Sequence, residues 1–243
     1  IGQIQEAEAR LVEALVQLAV DVFPTYTPHS TELRLYYPTS NVDERILSVT
    51  RTAGSFTPDQ VKGLQARAFL INGSLRGEVS MEVIRELRRK DALLAADVQG
   101  FLRVMAPDGT LVYDVWPEKE QVLSHLDILK ADAVEAEMLA GTTDMKAAAQ
   151  AIAAWGPREI VLTHRDGVLV FAGARFHEAP FRPRKLVGRS GRGDTCIASY
   201  VAKRLFASPE EATVWAAAVT SLKMEAEGPI KTRLLPQNPL EHT

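Results

Sequence analysis

The first part of the chain changes from a helical to an alternating pattern of apolar positions. Leucines recur at helical spacing within residues 5–19, which predicts a helix. Further along, Leu33 and Leu35 alternate with polar residues, and turn-forming residues at 38–43 separate this arm from a second extended one. We therefore predict a β-hairpin over residues 31–51. Its faces are only partly apolar, which suits the edge of a cleft better than a core.

Beyond residue 56, short apolar runs alternate with amphipathic segments. The apolar runs, which we predict to be strands, are residues 68–72, 93–97, 127–130 and 159–163. The segments with helical periodicity are residues 79–90, 118–125, 134–139 and 144–155. Repeated strand–helix units predict an α/β fold, in one domain over residues 1–243, with a mainly parallel sheet and helices on both faces. Ligands of such sheets bind beyond the carboxyl ends of the strands.

Composition narrows the class of partner. The 243 residues carry 28 basic and 31 acidic side chains, mixed along the chain, for a net charge of −3. This balance provides no basic patch for general nucleic-acid binding, and no apolar run reaches the length of a membrane span. A single cysteine cannot form an intrachain disulfide, which favours a reducing, cytoplasmic compartment. We expect a small-molecule partner, with neither nucleic acid nor membrane involved.

A glycine-rich turn near the C-terminus carries the most specific chemistry. Gly188, Gly191 and Gly193 precede Asp194, and a segment of helical character follows. Such glycines allow successive N–H groups to point toward one spot, where the start of a helix adds partial positive charge. This arrangement suits a phosphate, and a carboxylate among the donors stays ionised and can take a proton from an attacking alcohol. Asp194 is therefore a candidate general base. The alternative is that the three glycines and Asp194 merely form a loop and cap the helix, without binding a ligand.

The turn resembles the C-terminal signature of the pfkB, or ribokinase-like, carbohydrate kinases, D-T-x-G-A-G-D. The match lies at Gly191, Gly193 and Asp194. In that family the aspartate is the catalytic base and the preceding amides form the anion hole for the transferred phosphoryl group. The resemblance therefore implies a ribokinase-like fold and a catalytic set of Gly191, Arg192, Gly193 and Asp194.

Three positions depart from the signature. Gly188 and Arg189 stand where the family has Asp-Thr, and Arg192 replaces an alanine. This variant is similar to the myo-inositol kinase-like branch of the family. Guanidinium groups bind phosphate oxygens bidentately, so both arginines suit a phosphate site. A solvated surface position is the alternative for each.

A second match to the family predicts a metal site. Asp132 and Glu135 resemble the family's N-x-x-E pair, which organises Mg²⁺ and phosphate largely through water, with Asp in place of Asn. Their i, i+3 spacing puts both carboxylates on one face of a helix, and Mg²⁺ prefers one or two carboxylates with retained water. Acids in a first helical turn are also favoured by the helix dipole alone. Beside the glycine-rich match, we favour the metal site, and the resemblance implies ATP and Mg²⁺ as cofactors.

Weaker matches add candidates for the nucleotide. Residues 160–167 resemble the family's T-x-x-x-G strand and turn, which places Thr163 and Gly167 near the nucleotide. Ala217 and Ala218 fall in the family's closing helix, which contributes to the adenine pocket. The residues that the resemblance implies for ATP are thus Thr163, Gly167, Arg189, Gly191, Gly193, Ala217 and Ala218.

Acceptor binding is predicted from the segment after residues 93–97. Asp97 and Arg103 lie where the family has residues near the acceptor, and with Asp194 they are the substrate candidates. The hairpin over residues 31–51 matches the family's lid, which excludes water when substrate binds; pairing of two hairpins in a homodimer is the alternative. Family members normally begin with a strand and a G-G segment that hold acceptor hydroxyls. This sequence begins in what resembles a later helix, so either that segment lies outside it or the acceptor is bound differently.

The favoured function is ATP-dependent phosphorylation of a hydroxyl on a sugar or polyol, myo-inositol among them, with Asp194 as base. A binding protein of the same fold that has lost turnover is a second hypothesis, because the signature is altered. A nucleoside kinase is a third. A dinucleotide oxidoreductase ranks last, because its glycine-rich turn belongs in the first strand–helix unit and here the turn lies near the C-terminus.

Overall fold

A six-stranded sheet lies at the centre of the computed structural model, which describes residues 1–39, 46–188, 190–228 and 230. The strands of these ranges are β1 (Gly2–Ile4), β2 (Pro24–Tyr26), β3 (Glu32–Tyr36), β4 (Ile46–Arg51), β5 (Ala68–Ile71), β6 (Leu93–Asp97), β7 (Arg103–Met105), β8 (Leu111–Tyr113), β9 (Ile128–Asp132), β10 (Glu159–Thr163), β11 (Gly167–Ala172) and β12 (Arg175–Pro180). The α-helices are α1 (Glu13–Gln17), α2 (Pro58–Lys62), α3 (Met81–Arg88), α4 (Gln99–Leu102), α5 (Lys119–Leu123), α6 (Ala133–Ala140), α7 (Met145–Ala153), α8 (Arg192–Arg204) and α9 (Pro209–Met224).

The central sheet has the spatial order β5, β6, β9, β10, β11, β12. Its first four strands are parallel to one another, whereas β11 and β12 extend it in antiparallel fashion. The predicted, mainly parallel sheet is therefore confirmed, together with its four predicted strands. The sequence did not predict β11 and β12, because alternation of strands with helices does not reveal two consecutive strands. They are joined at Gly173 and Ala174, which both have positive φ, as a tight hairpin turn requires.

Helices cover both faces of the sheet, as predicted. Along β9, Ile128 belongs to one buried cluster with residues of α8 and α9, such as Ile197. The next residue, Leu129, belongs to a second cluster with residues of α6 and α7, such as Ala136 and Ile152. This alternation follows from the opposite directions of successive side chains in a strand. The four predicted helices are confirmed as α3, α5, α6 and α7.

The predicted hairpin is confirmed as the antiparallel pair β3 and β4, although residues 40–45 of its turn region lie outside the described ranges. It packs beside the small β7–β8 hairpin, where Val49 N donates to Gly109 O at 2.8 Å. The predicted N-terminal helix is present as a 3-10 helix, Glu6–Val12, followed by α1. Its leucines remain solvent-accessible, with Leu11 67% exposed. Every helix in the described part of the chain is too short or too polar to cross a bilayer.

Candidate active site

A cavity of about 470 Å³ lies where the parallel strands end. Its walls include one polar side chain at or just beyond the carboxyl end of each parallel strand, namely Asn72, Gln99, Asp132 and Thr163. The glycine-rich turn before α8 forms another wall. Leu33, Leu35 and Leu47 of the β3–β4 hairpin add an apolar surface. The cavity therefore combines hydrogen-bonding groups with a partly apolar cover, an arrangement that suits a polar small molecule.

The glycine-rich turn leads directly into α8 and carries Asp194 to the cavity. Gly191 is the N-cap residue with φ of 77°, a left-handed conformation that favours glycine. Asp194 lies in the first turn of the helix, and its Oδ1 accepts a hydrogen bond of 3.0 Å from Asn72 Nδ2. Gln99 Nε2 in turn donates to Asn72 Oδ1 at 3.3 Å. Side chains following β5 and β6 thus hold the carboxylate of Asp194 in one orientation.

The N-terminus of α8 provides an anion-binding surface. The first N–H groups of a helix have no acceptor within the helix, and the helix dipole is positive there. Gly191, Arg192 and Gly193 all line the cavity, so this end of the helix is open to a ligand. The guanidinium carbon of Arg192 lies 5.9 Å from the centre of the Phe181 ring. The structure thus brings together the four residues that the sequence predicted to be catalytic.

A buried group of charges lies beneath the turn. Lys130 Nζ is 2.9 Å from Asp97 Oδ2 and 3.7 Å from Glu135 Oε2, and all three side chains are almost fully buried. Asp97 Oδ2 has this ionic contact but no well-directed hydrogen bond within the described residues. Lys130 also approaches the turn closely, because a Cβ built on Gly193 would lie 2.7 Å from its Nζ. Only glycine fits at position 193 without displacing the lysine.

Burial and charge pairing act in opposite directions on these groups. Burial would lower the pKa of Lys130, but the carboxylates of Asp97 and Glu135 outweigh it and raise that pKa above its usual range. Burial raises the pKa of Asp97, and Lys130 partly opposes the rise. Burial also raises the pKa of Glu135 to about 7, again against the effect of Lys130. The lysine therefore remains a cation directly under the anion-binding turn.

Asp132 and Glu135, the predicted metal ligands, form a reciprocal cap at the start of α6. Asp132 Oδ1 accepts from Glu135 N at 2.9 Å, and Glu135 Oε2 accepts from Asp132 N at 2.8 Å. The other oxygen of Glu135 accepts a 3.3 Å hydrogen bond from Tyr113 Oη. Both acids line the cavity, but Glu135 is buried whereas Asp132 is partly exposed. Within the described ranges, no cluster of three or more His, Cys, Asp or Glu side chains could hold a metal.

The other predicted residues are divided between the cavity and its surroundings. Thr163 and Arg103 line the cavity, with the Arg103 guanidinium 5.9 Å from the centre of the Tyr113 ring. Asp97 is buried behind Lys130 and does not line it. Three residues predicted to bind nucleotide are buried in the protein and are not among the cavity-lining residues: Gly167, Ala217 and Ala218. Arg189 lies outside the described residues.

Sequence reasoning missed several polar residues of the site. Asn72 and Gln99 follow β5 and β6, and Lys130 lies inside β9. Asn72 and Gln99 had a detectable signal, since polar residues one or two positions after an apolar strand fall at the edge where ligands bind. Lys130 interrupts an otherwise apolar strand, and such a residue is either paired or functional.

Comparisons with known proteins support this reading of the fold. The family model described as pfkB family carbohydrate kinase matches residues 1–236. A cytidine kinase of Thermococcus kodakarensis is 32% identical over 85 residues, which cover 34% of this chain and 31% of that protein. The chain thus matches about a third of the length of this curated relative.

Several solved structures are similar over most of the chain. A pyrophosphate-dependent kinase in the ribokinase family, solved with sulfate, is 37% identical with a TM-score of 0.89, covering 99% of this chain and 84% of that one. A pyrophosphate-dependent myo-inositol-1 kinase converted into a myo-inositol-3 kinase is 38% identical with a TM-score of 0.85, covering 93% and 78%. Ribokinase of Arabidopsis thaliana, at 19% identity and a TM-score of 0.72 over 94% and 76%, shows the shared fold alone.

The resemblance and the ribokinase-like α/β fold predicted from the sequence are thereby confirmed. The turn that carries Asp194 lies in the part matched by the family model, and so do Asp132 and Glu135. Because that match extends over nearly the entire sequence, the chain belongs to the pfkB family of carbohydrate kinases.

Proposed function

We propose that this protein transfers a phosphoryl group from inorganic pyrophosphate to a hydroxyl of a sugar or polyol, with a cyclitol such as myo-inositol as the acceptor. The observation that carries the proposal is the position of Asp194. Its carboxylate faces the cavity from the first turn of α8, where the N–H groups at the start of the helix and Arg192 would bind phosphate. A base and an anion hole are thus adjacent, as phosphoryl transfer to an alcohol requires.

The proposed reaction needs one proton acceptor and one site for developing negative charge. Asp194 takes the proton of the acceptor hydroxyl as its oxygen forms a bond to phosphorus. The bond between that phosphorus and the bridging oxygen of the donor breaks, so a phosphate ester and inorganic phosphate are released. The N–H groups at residues 191–193 and Arg192 stabilise the charge on the transferred group. Asn72 holds the carboxylate of Asp194 toward the acceptor.

Pyrophosphate replaces ATP, which the sequence resemblance implied, as the proposed donor. Two solved structures at 37% and 38% identity are of proteins named as pyrophosphate-dependent. Ala217 and Ala218, expected at the adenine, are fully buried and lie outside the cavity lining. Residues 190–194 of the turn line the cavity and include Arg192 and the start of α8, which fits a compact, highly charged donor.

The test is a donor-by-acceptor panel on the purified protein. Pyrophosphate and ATP are each supplied with Mg²⁺ and with sugars, inositols and nucleosides, and the phosphate ester is measured by mass spectrometry. We expect an inositol ester with pyrophosphate, and at least about tenfold lower kcat/KM with ATP, a difference of about 1.4 kcal/mol in transition-state stabilisation. Equal or faster turnover with ATP would refute the proposed donor. No ester with any acceptor would refute the kinase proposal.

Magnesium fits this site only as an ion shared with the donor. One carboxylate at the cavity, Asp132, is partly exposed and has an oxygen outside its capping bond, and Mg²⁺ in phosphate-transfer sites takes one or two carboxylates plus phosphates and water. When bound, Mg²⁺ would neutralise phosphate charge. Glu135 is buried and accepts from Tyr113 and Asp132, so its proposed role is to hold Asp132.

Glu135→Gln should raise the Mg²⁺ concentration needed for half-maximal activity several-fold. The variant keeps the side-chain shape but weakens the acceptor for Asp132 N, so Asp132 is held less firmly. The measurement is initial rate against Mg²⁺ at saturating donor. Glu137→Gln, at an exposed position of the same helix, is the matched control and should behave as wild type. If the metal dependence of Glu135→Gln is unchanged, Asp132 and Glu135 serve only to cap the helix.

We propose that the β3–β4 hairpin is a lid over the acceptor. Its leucines line the cavity, and closure would shield the phosphoryl transfer from water. Amide exchange in residues 31–39 and 46–51 should slow on addition of the acceptor with a non-hydrolysable pyrophosphate analogue. Protection that depends on protein concentration and ignores the acceptor would identify the hairpin as a dimer contact instead.

A further inference from the structure

A buried lysine from α9 reaches the glycine-rich turn from behind. Lys223 lies in the last turn of α9 and is only 5% exposed. Its Cε is 3.5 Å from the position that a Cβ on Gly191 would occupy. Gly191 itself lines the cavity. The end of the Lys223 side chain thus packs against the same turn that presents the amides of α8.

This ammonium lacks a partner in the described part of the chain. Its Nζ makes no hydrogen bond and no ion pair there, whereas Lys130, the other buried lysine of this region, lies within 4.0 Å of two carboxylates. Burying a cation without a partner is costly, so buried charges are normally paired or bind a ligand. The nearby N-terminus of α8 is also positive and cannot satisfy it. An anion at the turn would satisfy both.

We propose that Lys223 binds the second phosphate of a diphosphate donor. The inference rests on the proposed function and deepens it by assigning a residue for the leaving phosphate. The amides next to Asp194 would hold the phosphoryl group that is transferred. Lys223, which approaches the turn at Gly191, three residues before Asp194, would hold the phosphate that departs and neutralise its charge as the P–O bond breaks. The site therefore selects a diphosphate over a single phosphate.

Binding measurements without an acceptor test this assignment. Lys223→Met removes the charge while keeping a long, flexible apolar side chain that fits a buried position. In calorimetric titration with methylenediphosphonate, a pyrophosphate analogue that cannot be cleaved, we expect at least about tenfold weaker binding than wild type, which is the lower range for a lost charged hydrogen bond. Affinity for inorganic phosphate and the KM for the acceptor should change less. Lys62→Met, in the exposed last turn of α2, is the matched control.

A diphosphate group can come from inorganic pyrophosphate or from a nucleotide. Adenylyl methylenediphosphonate, which carries the same non-cleavable group on a nucleotide, distinguishes these two sources. If adenylyl methylenediphosphonate also loses affinity in Lys223→Met, the lysine binds a diphosphate of either source; if only methylenediphosphonate does, the site is specific for the inorganic donor. Both results support the proposal. Unchanged affinity of a folded Lys223→Met protein for methylenediphosphonate would overturn it.

A measurement on the wild-type protein covers the case in which Lys223→Met does not fold. Crystals soaked in selenate should show an anomalous peak within hydrogen-bond distance of Lys223 Nζ, and a peak confined to the Asp194 end of the turn would overturn the proposal. Because neither experiment needs turnover, their results are independent of the acceptor panel. A wild-type protein that binds methylenediphosphonate through Lys223 but phosphorylates nothing would refute the proposed function alone.

Discussion

Asp194→Asn is expected to lower kcat by at least about a hundredfold, the smaller end of what a general base contributes. The amide cannot accept the proton of an attacking hydroxyl. It can still accept the hydrogen bond from Asn72 and occupies the same volume at the start of α8, so the turn should keep its geometry. Affinity for methylenediphosphonate should therefore remain within about threefold of wild type, a difference of less than about 1 kcal/mol. The two quantities are measured by steady-state kinetics and calorimetric titration.

A fall in turnover without a fall in donor affinity is the result that would distinguish a general base from a residue that only supports the turn. Asp59→Asn removes a carboxylate from the exposed surface of α2, outside the cavity lining, and should change neither quantity. If Asp194→Asn keeps wild-type turnover, Asp194 is not the base and the central assignment fails. If donor binding and turnover fall together, the residue supports the turn rather than the proton transfer, because a base acts only in the chemical step.

The parallel part of the fold could be predicted because its signals are local. β6 and β10 are short apolar runs with the same bounds in the sequence prediction and in the structure, and the segments between the strands have helical periodicity. Asp194 was predicted from the glycines that precede it and from the family signature they resemble, and Asp132 with Glu135 from their resemblance to the family's N-x-x-E pair. Each of these signals lies within a few consecutive residues.

The unpredicted features depend on contacts between distant parts of the chain. Asp97, Lys130 and Gly193 meet because β6 and β9 are neighbours and α8 begins above them, a relation that no spacing in the sequence encodes. Lys223 reaches the turn from a helix thirty residues further along, at the end of an alanine-rich stretch expected to contact adenine. Tertiary packing brings these residues together, and the local sequence pattern does not predict such contacts.

Lys130→Met is expected to reduce the free energy of unfolding by about 3–5 kcal/mol, the usual cost of removing one partner from a buried ion pair. Asp97 would lose the cation that lies 2.9 Å from its buried carboxylate, and Glu135 would lose the same partner. The free energy is measured by urea unfolding followed by circular dichroism. The pair of Lys146 and Glu178, at 2.7 Å and with both side chains more than half exposed, is the control: Lys146→Met should cost less than about 1 kcal/mol.

The cost of Lys130→Met should depend on pH in a defined direction. Burial raises the pKa of Asp97 above its ordinary 3.8, and removal of the cation that opposes this raises it further. Between 3.8 and that raised value, the folded state of the variant binds more protons than the unfolded state, so its stability falls as pH rises through this window. The loss relative to wild type should therefore be smaller at about pH 5 than at about pH 8. Asp97→Asn in the same chain should recover most of the loss, because it removes the unpaired charge.

A double variant as unstable as Lys130→Met alone would contradict this account. It would mean that the lysine acts through its contact with Gly193 rather than through the charge of Asp97. That outcome would still be informative about the site, since Nζ lies only 2.7 Å from where a side chain on Gly193 would begin. Gly193→Ala would then be expected to reproduce both the instability and a loss of affinity for methylenediphosphonate, because the added methyl group and the lysine cannot occupy the same space beneath the anion-binding turn.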